Sequence, residues 1–482
     1  MFRRMTPNRF VAACLALVAT AASASAQAPK DRITQTLDTR YAHFAGVAQQ
    51  IWGFAEVGYQ EQKSSVLLQE ELRAAGFRIE TGVAGMPTAF VATYGQGKPV
   101  IGMLAEFDAL PGLSQDAVPQ RRPLVEQGPG HACGHHLFGT ASVAAAVAVK
   151  EWLAAGKTGG GTLRVYGTPA EEGGAGKVYM VRAGLFGDVD VVLQWHPGDA
   201  NDASPSSTLA NTSAKFRFRG QSAHAAGAPE RGRSALDGVE AMNHMVNLMR
   251  EHVPQETRIH YVITRGGLAP NVVPDFAEVY YYARNPDSRA LAEIWGRIVK
   301  ASEGAALGTG TTVEHEITAG VYSVLPNEAL GRVMDANLRR VGGVRYTAEE
   351  RRFAEEIRKT LIGTERPLGS ESEIEEFRER RTSASTDAGD VSWVVPTAGL
   401  RTATWVPGTP AHSWQAVAAG GMSIGSKGML VAAKTLALTA MDLYQDPAAI
   451  RRAREEFERR RGPGFTYKAL IGDRAPALDY RN

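Results

Sequence analysis

Val100-Ile101-Gly102-Met103-Leu104-Ala105-Glu106-Phe107-Asp108 is an apolar run that ends in two carboxylates. With no polar alternation, it reads as a strand covered on both faces, its acids just past the carboxyl end. The pattern recurs twice downstream. Thr162-Leu163-Arg164-Val165-Tyr166-Gly167 leads to Thr168-Pro169-Ala170-Glu171-Glu172, and Val189-Asp190-Val191-Val192-Leu193-Gln194 ends in Trp195-His196-Pro197. Helical segments separate the three, the apolar run from Leu137 to Leu153 and a stretch from about Ala175 to Phe186. Strands alternating with helices predict an α/β fold with a mainly parallel sheet, and such sheets place ligand sites beyond the carboxyl ends of their strands. Asp108, Glu171, Glu172 and His196 all fall there.

On the N-terminal side, residues 31 to 76 carry apolar residues at helical spacing up to Gly76, and Ala89 to Tyr94 reads as a further strand. On the C-terminal side the texture changes at about residue 211. Alternating strands are predicted at Ala214 to Gly220, Arg258 to Thr264, Ala277 to Arg284 and Thr311 to Thr318, with helices at about Ser234 to Glu251 and Ser288 to Leu307. The order βαββαβ describes a ferredoxin-like unit, inserted into the first domain and offering an edge or helix as a dimer surface. From Asn327 the chain returns to helical texture, including the charged stretches Tyr346 to Leu361 and Ser370 to Arg381, read as solvated helix faces. Gly389 to Thr404 is strand-like, a helix follows at about Lys427 to Leu443, and the tail after Asp446 begins as a charged helix with no function assigned to its end. The predicted division is residues 27–211 and 322–482 for the main domain and 212–321 for the insert.

Arg3, Arg4 and Arg9 precede an apolar segment from Phe10 to Ala22 and then Ala24-Ser25-Ala26. This is the pattern of a secretory signal peptide over residues 1–26, which implies a secreted or periplasmic protein. Its loss would take three arginines from 53 basic residues set against 51 acidic ones, leaving a near-neutral chain. Such a balance gives no electrostatic reason to expect nucleic acid or a membrane as partner and points to small solutes. Cys14 leaves with the signal, so Cys133 stays unpaired in a compartment that favours disulfides.

That thiol sits in Gly130-His131-Ala132-Cys133-Gly134-His135-His136, at the start of the long apolar helix. A thiolate and an imidazole two residues apart on a Gly-containing bend are both ligand types for zinc-like metals. Alone, the stretch reads equally as a small buried Cys beside a histidine pair. Glu171-Glu172 alone is an ordinary acidic loop, His196 a histidine at a strand end, and His412 a surface residue in a Pro-rich loop. Together, Cys133, His135, Glu172, His196 and His412 fall where one sheet would present them to one cleft. Five ligands exceed the needs of one tetrahedral zinc and suit two divalent ions, Zn or Mn, that activate a shared water and polarise a carbonyl. Glu171, beside a ligand, can accept the proton of the water.

Several of these segments resemble the M20 metallopeptidase family. They are Gly130 to His135, Pro169-Ala170-Glu171-Glu172-Gly173, Trp195-His196-Pro197, Gly220-Gln221-Ser222-Ala223-His224-Ala225, Asn271-Val272-Val273-Pro274 and Pro410-Ala411-His412-Ser413. Ala105 to Gln115 is similar to the aminobenzoyl-glutamate hydrolase group among its N-acyl amino acid amidohydrolases. The resemblance implies the same five ligands, Glu171 as general base and proton donor to the leaving amine, and an N-acyl amino acid or dipeptide as substrate. It further implies that His224 stabilises the oxyanion, often across a homodimer, that Asn271 holds substrate, and that Asp108 orients a ligand. His136 and Glu106 depart from the family pattern, a change that can alter the outer groups that tune the metal, and His136 is placed with Asp108 behind the ligands. Two rival readings stand beside this one: a cysteine amidase with Cys133 as nucleophile, and a periplasmic binding protein that keeps the fold without catalysis.

Overall fold

The computed structural model describes residues 30–156, 160–363 and 366–481, so the signal peptide read at residues 1–26 lies outside the described residues. The strands of the first half are β1 (Arg78–Thr81), β2 (Phe90–Gln96), β3 (Val100–Ala105), β4 (Gly161–Gly167) and β5 (Val191–Gly198). They are followed by β6 (Ser206–Ser207), β7 (Ala210–Arg219), β8 (Arg258–Arg265), β9 (Phe276–Asn285), β10 (Thr312–Val321), β11 (Arg380–Arg381) and β12 (Thr397–Ala403).

A six-stranded sheet runs in the order β1-β2-β4-β3-β5-β12. The four strands from β4 to β12 are parallel, and β2 and β1 close one edge antiparallel. Strand β3 is buried at every position, as an unbroken apolar run in mid-sheet requires. Against it packs the helix His135–Ala154, whose length and apolar composition would suit a membrane span but which is mostly buried within the fold. On the same core lie the helices Tyr41–Phe54 and Ser423–Gln445. Each fully buried Leu, Val or Phe there contributes roughly 1.5–3 kcal/mol.

A second, antiparallel sheet has the order β10-β7-β9-β8, and the helices Ala235–Met249 and Ser288–Thr309 pack on it with a core of their own. The βαββαβ order and this strand arrangement are those of the expected ferredoxin-like insert. Ser234 and Asp287 cap the two helices, each side chain accepting from the first-turn backbone.

Three differences from the sequence reading have physical causes. The helical reading of residues 31 to 76 breaks between Phe54 and Gln62, where Ala55 takes a left-handed conformation that ends the first helix. Ser370 to Arg381 is not a helix: a single turn at Ser370–Ser372 is followed by extended chain and β11, which pairs with β6. Its charges pair across the fold instead of along a helix, as in Arg380 with Asp202 and Arg366 with Glu375, and the Asn201 amide bonds the backbone carbonyls of Glu371 and Glu373. The strand-like region Gly389 to Thr404 opens with the short helix Ala388–Ser392 before β12, and a Cβ on Gly389 would meet the Tyr322 carbonyl at 1.9 Å.

Candidate functional site

Beyond the carboxyl ends of β3, β4, β5 and β12 lies a cavity of about 740 Å³. Cys133, Glu171, Glu172, His196 and His412 line it, together with Glu106. The bend at Gly134 (φ 78°) starts the helix that carries His135, and a Cβ there would come within 2.7 Å of Pro197. Only glycine allows this approach, and it seats Cys133 Sγ 3.3 Å from His196 Nε2.

Each imidazole is oriented by its other nitrogen. His135 Nδ1 bonds Asp108 Oδ1 at 2.8 Å, and His196 Nδ1 donates to the Pro197 carbonyl at 2.7 Å, which fixes the orientation of both rings and leaves each Nε2 for another partner. His412, with φ 59°, is held by its backbone N–H on the Ala132 carbonyl, and its Nε2 lies 3.2 Å from Glu172 Oε1. Asp108 Oδ2 accepts the Glu172 backbone N–H at 2.9 Å. Two donor groups result, Cys133 with His135 and His196, and Cys133 with Glu172 and His412; within each, the donor atoms lie within 4.8 Å of one another. Cys133, the one cysteine among the described residues, belongs to both.

The residues present fit a metal. Glu172 Oε1, His135 Nε2 and Glu106 Oε2 are buried without a hydrogen-bond partner among the described residues, although His135 Nε2 and Glu106 Oε2 are 3.1 Å apart. These unbonded buried atoms leave donor capacity for an ion, and soft sulfur, imidazole and carboxylate together match a zinc-like one. Glu106 forms a third group with His135 and Glu171 and is held by Lys177 Nζ at 2.7 Å. Lys177 is fully buried and also pairs with Asp387 at 2.5 Å.

Burial, with the charges of Glu106 and Glu172, pushes the Glu171 carboxyl well above the usual carboxylate range. Burial and Glu172 push the Cys133 thiol up, and burial beside His135 and Arg401 pulls His196 down to about 3. The His412 imidazole is raised by the Glu172 carboxylate beside it.

The loop after β4 carries the two glutamates under tension. Ala170 (φ 56°) and Ala175 (φ 58°) are both left-handed, a conformation that costs an L-residue roughly 1–2 kcal/mol. Side chains from elsewhere hold it: Glu61 Oε1 takes the Ala170 N–H at 2.8 Å, and Tyr59 Oη donates to the Gly174 carbonyl at 2.7 Å.

Other predicted residues lie apart. His136 is buried, with Nε2 on the Gly420 carbonyl at 3.0 Å and its ring 4.9 Å from that of His131; it is in neither donor group. His224 and Asn271 are neighbours, joined by the Ala225 N–H on the Asn271 carbonyl, but both are exposed on the insert and neither lines the cavity. Sequence reasoning passed over Lys177, Asp387, Arg284, Arg401 and Arg481. Arg284, from β9, and Arg401, from β12, line the cavity without an ion-pair partner among the described residues. Position at a strand end could have flagged Arg401, which stands in register with His196 on the neighbouring strand.

The chain is 41% identical over 453 residues to one of the two kinds of chain of the p-aminobenzoyl-glutamate hydrolase of Escherichia coli K12, covering 88% of this chain and 94% of that protein. It is 30% identical over 456 residues to the Xaa-Arg dipeptidase of Mus musculus, covering 91% and 94%. A solved dinuclear metal binding peptidase of the M20 family from Bacillus subtilis superimposes with a TM-score of 0.59 at 17% identity, over 85% of this chain and 99% of its own. Residues 103–413 match peptidase family M20/M25/M40, and with these likenesses the chain belongs to that family and is a hydrolase of amide bonds.

Proposed function

We propose that this enzyme uses two divalent ions, zinc or manganese, to hydrolyse the amide of an N-acyl amino acid, including aryl acyl groups such as aminobenzoyl, or of a dipeptide. The observation that carries the reading is that Cys133, Glu172, His196 and His412 line one cavity with Glu171 beside them, and His135 joins Cys133 and His196 in one donor group. These five residues would hold the ions, which when bound supply Lewis acidity toward a carbonyl and acidify a water.

The remaining steps belong to the chain. Glu171, which lines the cavity beside Glu172, takes a proton from the attacking water as a carboxylate and returns it to the leaving amine. Arg284 and Arg401 offer unpaired guanidinium groups to a substrate carboxylate, as a free amino-acid terminus requires. The names of the E. coli and mouse relatives, acting on an acyl glutamate and on dipeptides, agree with that chemistry.

His224 is proposed to stabilise the oxyanion and Asn271 to hold substrate from a second copy of the chain. Their exposure outside the cavity supports a supply in trans. So does the apolar edge strand β8, where Tyr261, Val262 and Ile263 are exposed close to Leu268 and Val272. The dimerising lid would be residues 212–321, set into a catalytic unit of 27–211 and 322–482. A signal peptide over residues 1–26 would send the protein to the periplasm or outside the cell.

The Cys133–His196 contact also suits a cysteine amidase. Burial that holds the thiol protonated runs against a nucleophilic thiolate. Treatment with a chelator followed by zinc or manganese, assayed on a panel of aminobenzoyl, benzoyl, indolyl and aliphatic acyl amino acids and dipeptides, decides the matter. Loss and metal-dependent recovery of hydrolysis is expected. Activity that survives chelation and is abolished by alkylation would establish the thiol enzyme, and metal-dependent binding with no product would establish the binding protein.

A further inference from the structure

The last described residues of the chain end on the active-site loop. Tyr480 Oη donates to the Glu172 carbonyl at 3.0 Å, and the Arg481 guanidinium donates to the same oxygen. Tyr480 packs edge-on against Tyr59 with ring centres 5.6 Å apart, and Tyr59 itself bonds the Gly174 carbonyl of the loop. Its hydroxyl lies over Gly58, where a Cβ would come within 2.2 Å of it, and Arg481 Nη2 is within 3.7 Å of the Cβ position of Gly173. Arg481 also stacks on the Tyr480 ring at 4.8 Å and lines the cavity.

The tail is fastened before it arrives. Arg182 Nη1 donates to the carbonyls of Gly472 and Arg474, each at 2.8 Å, and Tyr179 Oη donates to that of Ala475 at 3.3 Å. Arg474 Nη1 reaches across to the carbonyls of Ile317 and Thr318 on β10 of the second sheet. The same segment therefore touches the insert at one end and the catalytic loop at the other.

We propose that Tyr480 and Arg481 are positioning residues, which set the Glu171–Glu172 loop by fixing the Glu172 peptide carbonyl. Left-handed Ala170 and Ala175 flank the glutamates and strain the loop, whose own bonds, Gly173 N–H to the Glu171 carbonyl and Gly174 N–H to the Ala170 carbonyl, leave the Glu172 peptide groups to outside partners. Its peptide groups are tied from outside, with Asp108 on the Glu172 N–H and the tail on the Glu172 carbonyl of the next peptide unit. Untying the second side lets the peptide rotate, and both carboxylates move with it. Small misplacements of reacting groups cost turnover more than binding. The role rests on the proposed amidase reading, in which Glu171 moves the proton.

The test compares full-length, metal-reconstituted wild type with Tyr480→Phe, Arg481→Ala, the double variant and Arg481→Lys. Hydrogen exchange of peptides covering Thr168–Ala175 and Val191–Gly198 is followed, with kcat and KM on the best acyl amino acid substrate. In the double variant, loop exchange is expected to quicken about tenfold with the β5 peptide unchanged. Its kcat is expected to fall about tenfold or more with KM within about threefold, and Arg481→Lys to keep most of the kcat that Arg481→Ala loses. Wild-type exchange in the double variant overturns the proposal, whether kcat falls or not, and so does faster exchange with unaltered kcat. A wild type that hydrolyses no amide substrate defeats the amidase reading instead, and loop exchange still decides whether the tail fixes the loop.

Discussion

Asp108 stands behind two donors at once, with Oδ1 2.8 Å from His135 Nδ1 and Oδ2 2.9 Å from the Glu172 backbone nitrogen. One carboxylate thus aligns an imidazole on one side of the cavity and the glutamate loop on the other. Asp108→Ala is expected to lower metal affinity about 10–100-fold, the usual effect of losing a carboxylate behind a metal-ligating histidine. Competition with a chelator of known affinity measures it, and unchanged metal retention would refute the arrangement.

Glu171 and His196 should separate chemistry from metal holding. Glu171→Gln removes the proton acceptor while leaving the five donors, so turnover is expected to fall about 10²–10⁴-fold with metal content intact. His196→Ala removes a donor that lies 3.3 Å from Cys133 and should lose metal together with activity. Elemental analysis beside the kinetics distinguishes the two, and near-normal turnover in Glu171→Gln would remove Glu171 from the mechanism.

The strands and their acidic or imidazole ends were legible because a buried parallel sheet imposes unbroken apolar runs, as in β3, and opens its ligand cleft at one edge. Cys133, His135, Glu172, His196 and His412 could be grouped on that ground alone. Lys177 could not, since a lysine in a helical segment reads as a solvated residue until its burial against Glu106 and Asp387 is seen. The charges of Ser370 to Arg381 misled for the opposite reason: their spacing permits helical pairs, but their partners lie far away in sequence, as Asp202 does for Arg380. Tyr480 and Arg481 carried no local signal, because their contact with Glu172 joins positions 308 and 309 residues apart.

Lys177 is enclosed by Glu106 and Asp387, which outweigh the effect of burial and hold its ammonium group charged. Lys177→Met keeps the volume but leaves two buried carboxylates without their counter-ion, and breaking such a pair costs about 3–5 kcal/mol. Urea denaturation of the metal-free protein should show a loss of that size. A change below about 1 kcal/mol, the range of an exposed pair, would mean that solvent already reaches the cluster.

His224 and Asn271 supply the last argument. They lie on adjoining segments of chain, where Ala225 N–H bonds the Asn271 carbonyl, but stay exposed and outside the cavity, so a single chain presents the five donors and Glu171 without the proposed oxyanion group. If a second copy provides it, His224→Ala and Glu171→Gln are each inactive alone, yet complement when subunits exchange. In a mixed dimer one site pairs an intact Glu171 with an intact His224 from its neighbour. Random exchange of equal amounts should then restore about a quarter of wild-type activity in a twofold dimer. Either variant alone, at the total concentration of the mixture, gives the baseline, and light scattering shows whether exchange has dimers to act on. No gain on mixing, with dimers exchanging, would place His224 in the service of its own chain. A gain only on adding a different protein, such as the second kind of chain that the name of the E. coli relative implies, would put a heteromer in place of the homodimer.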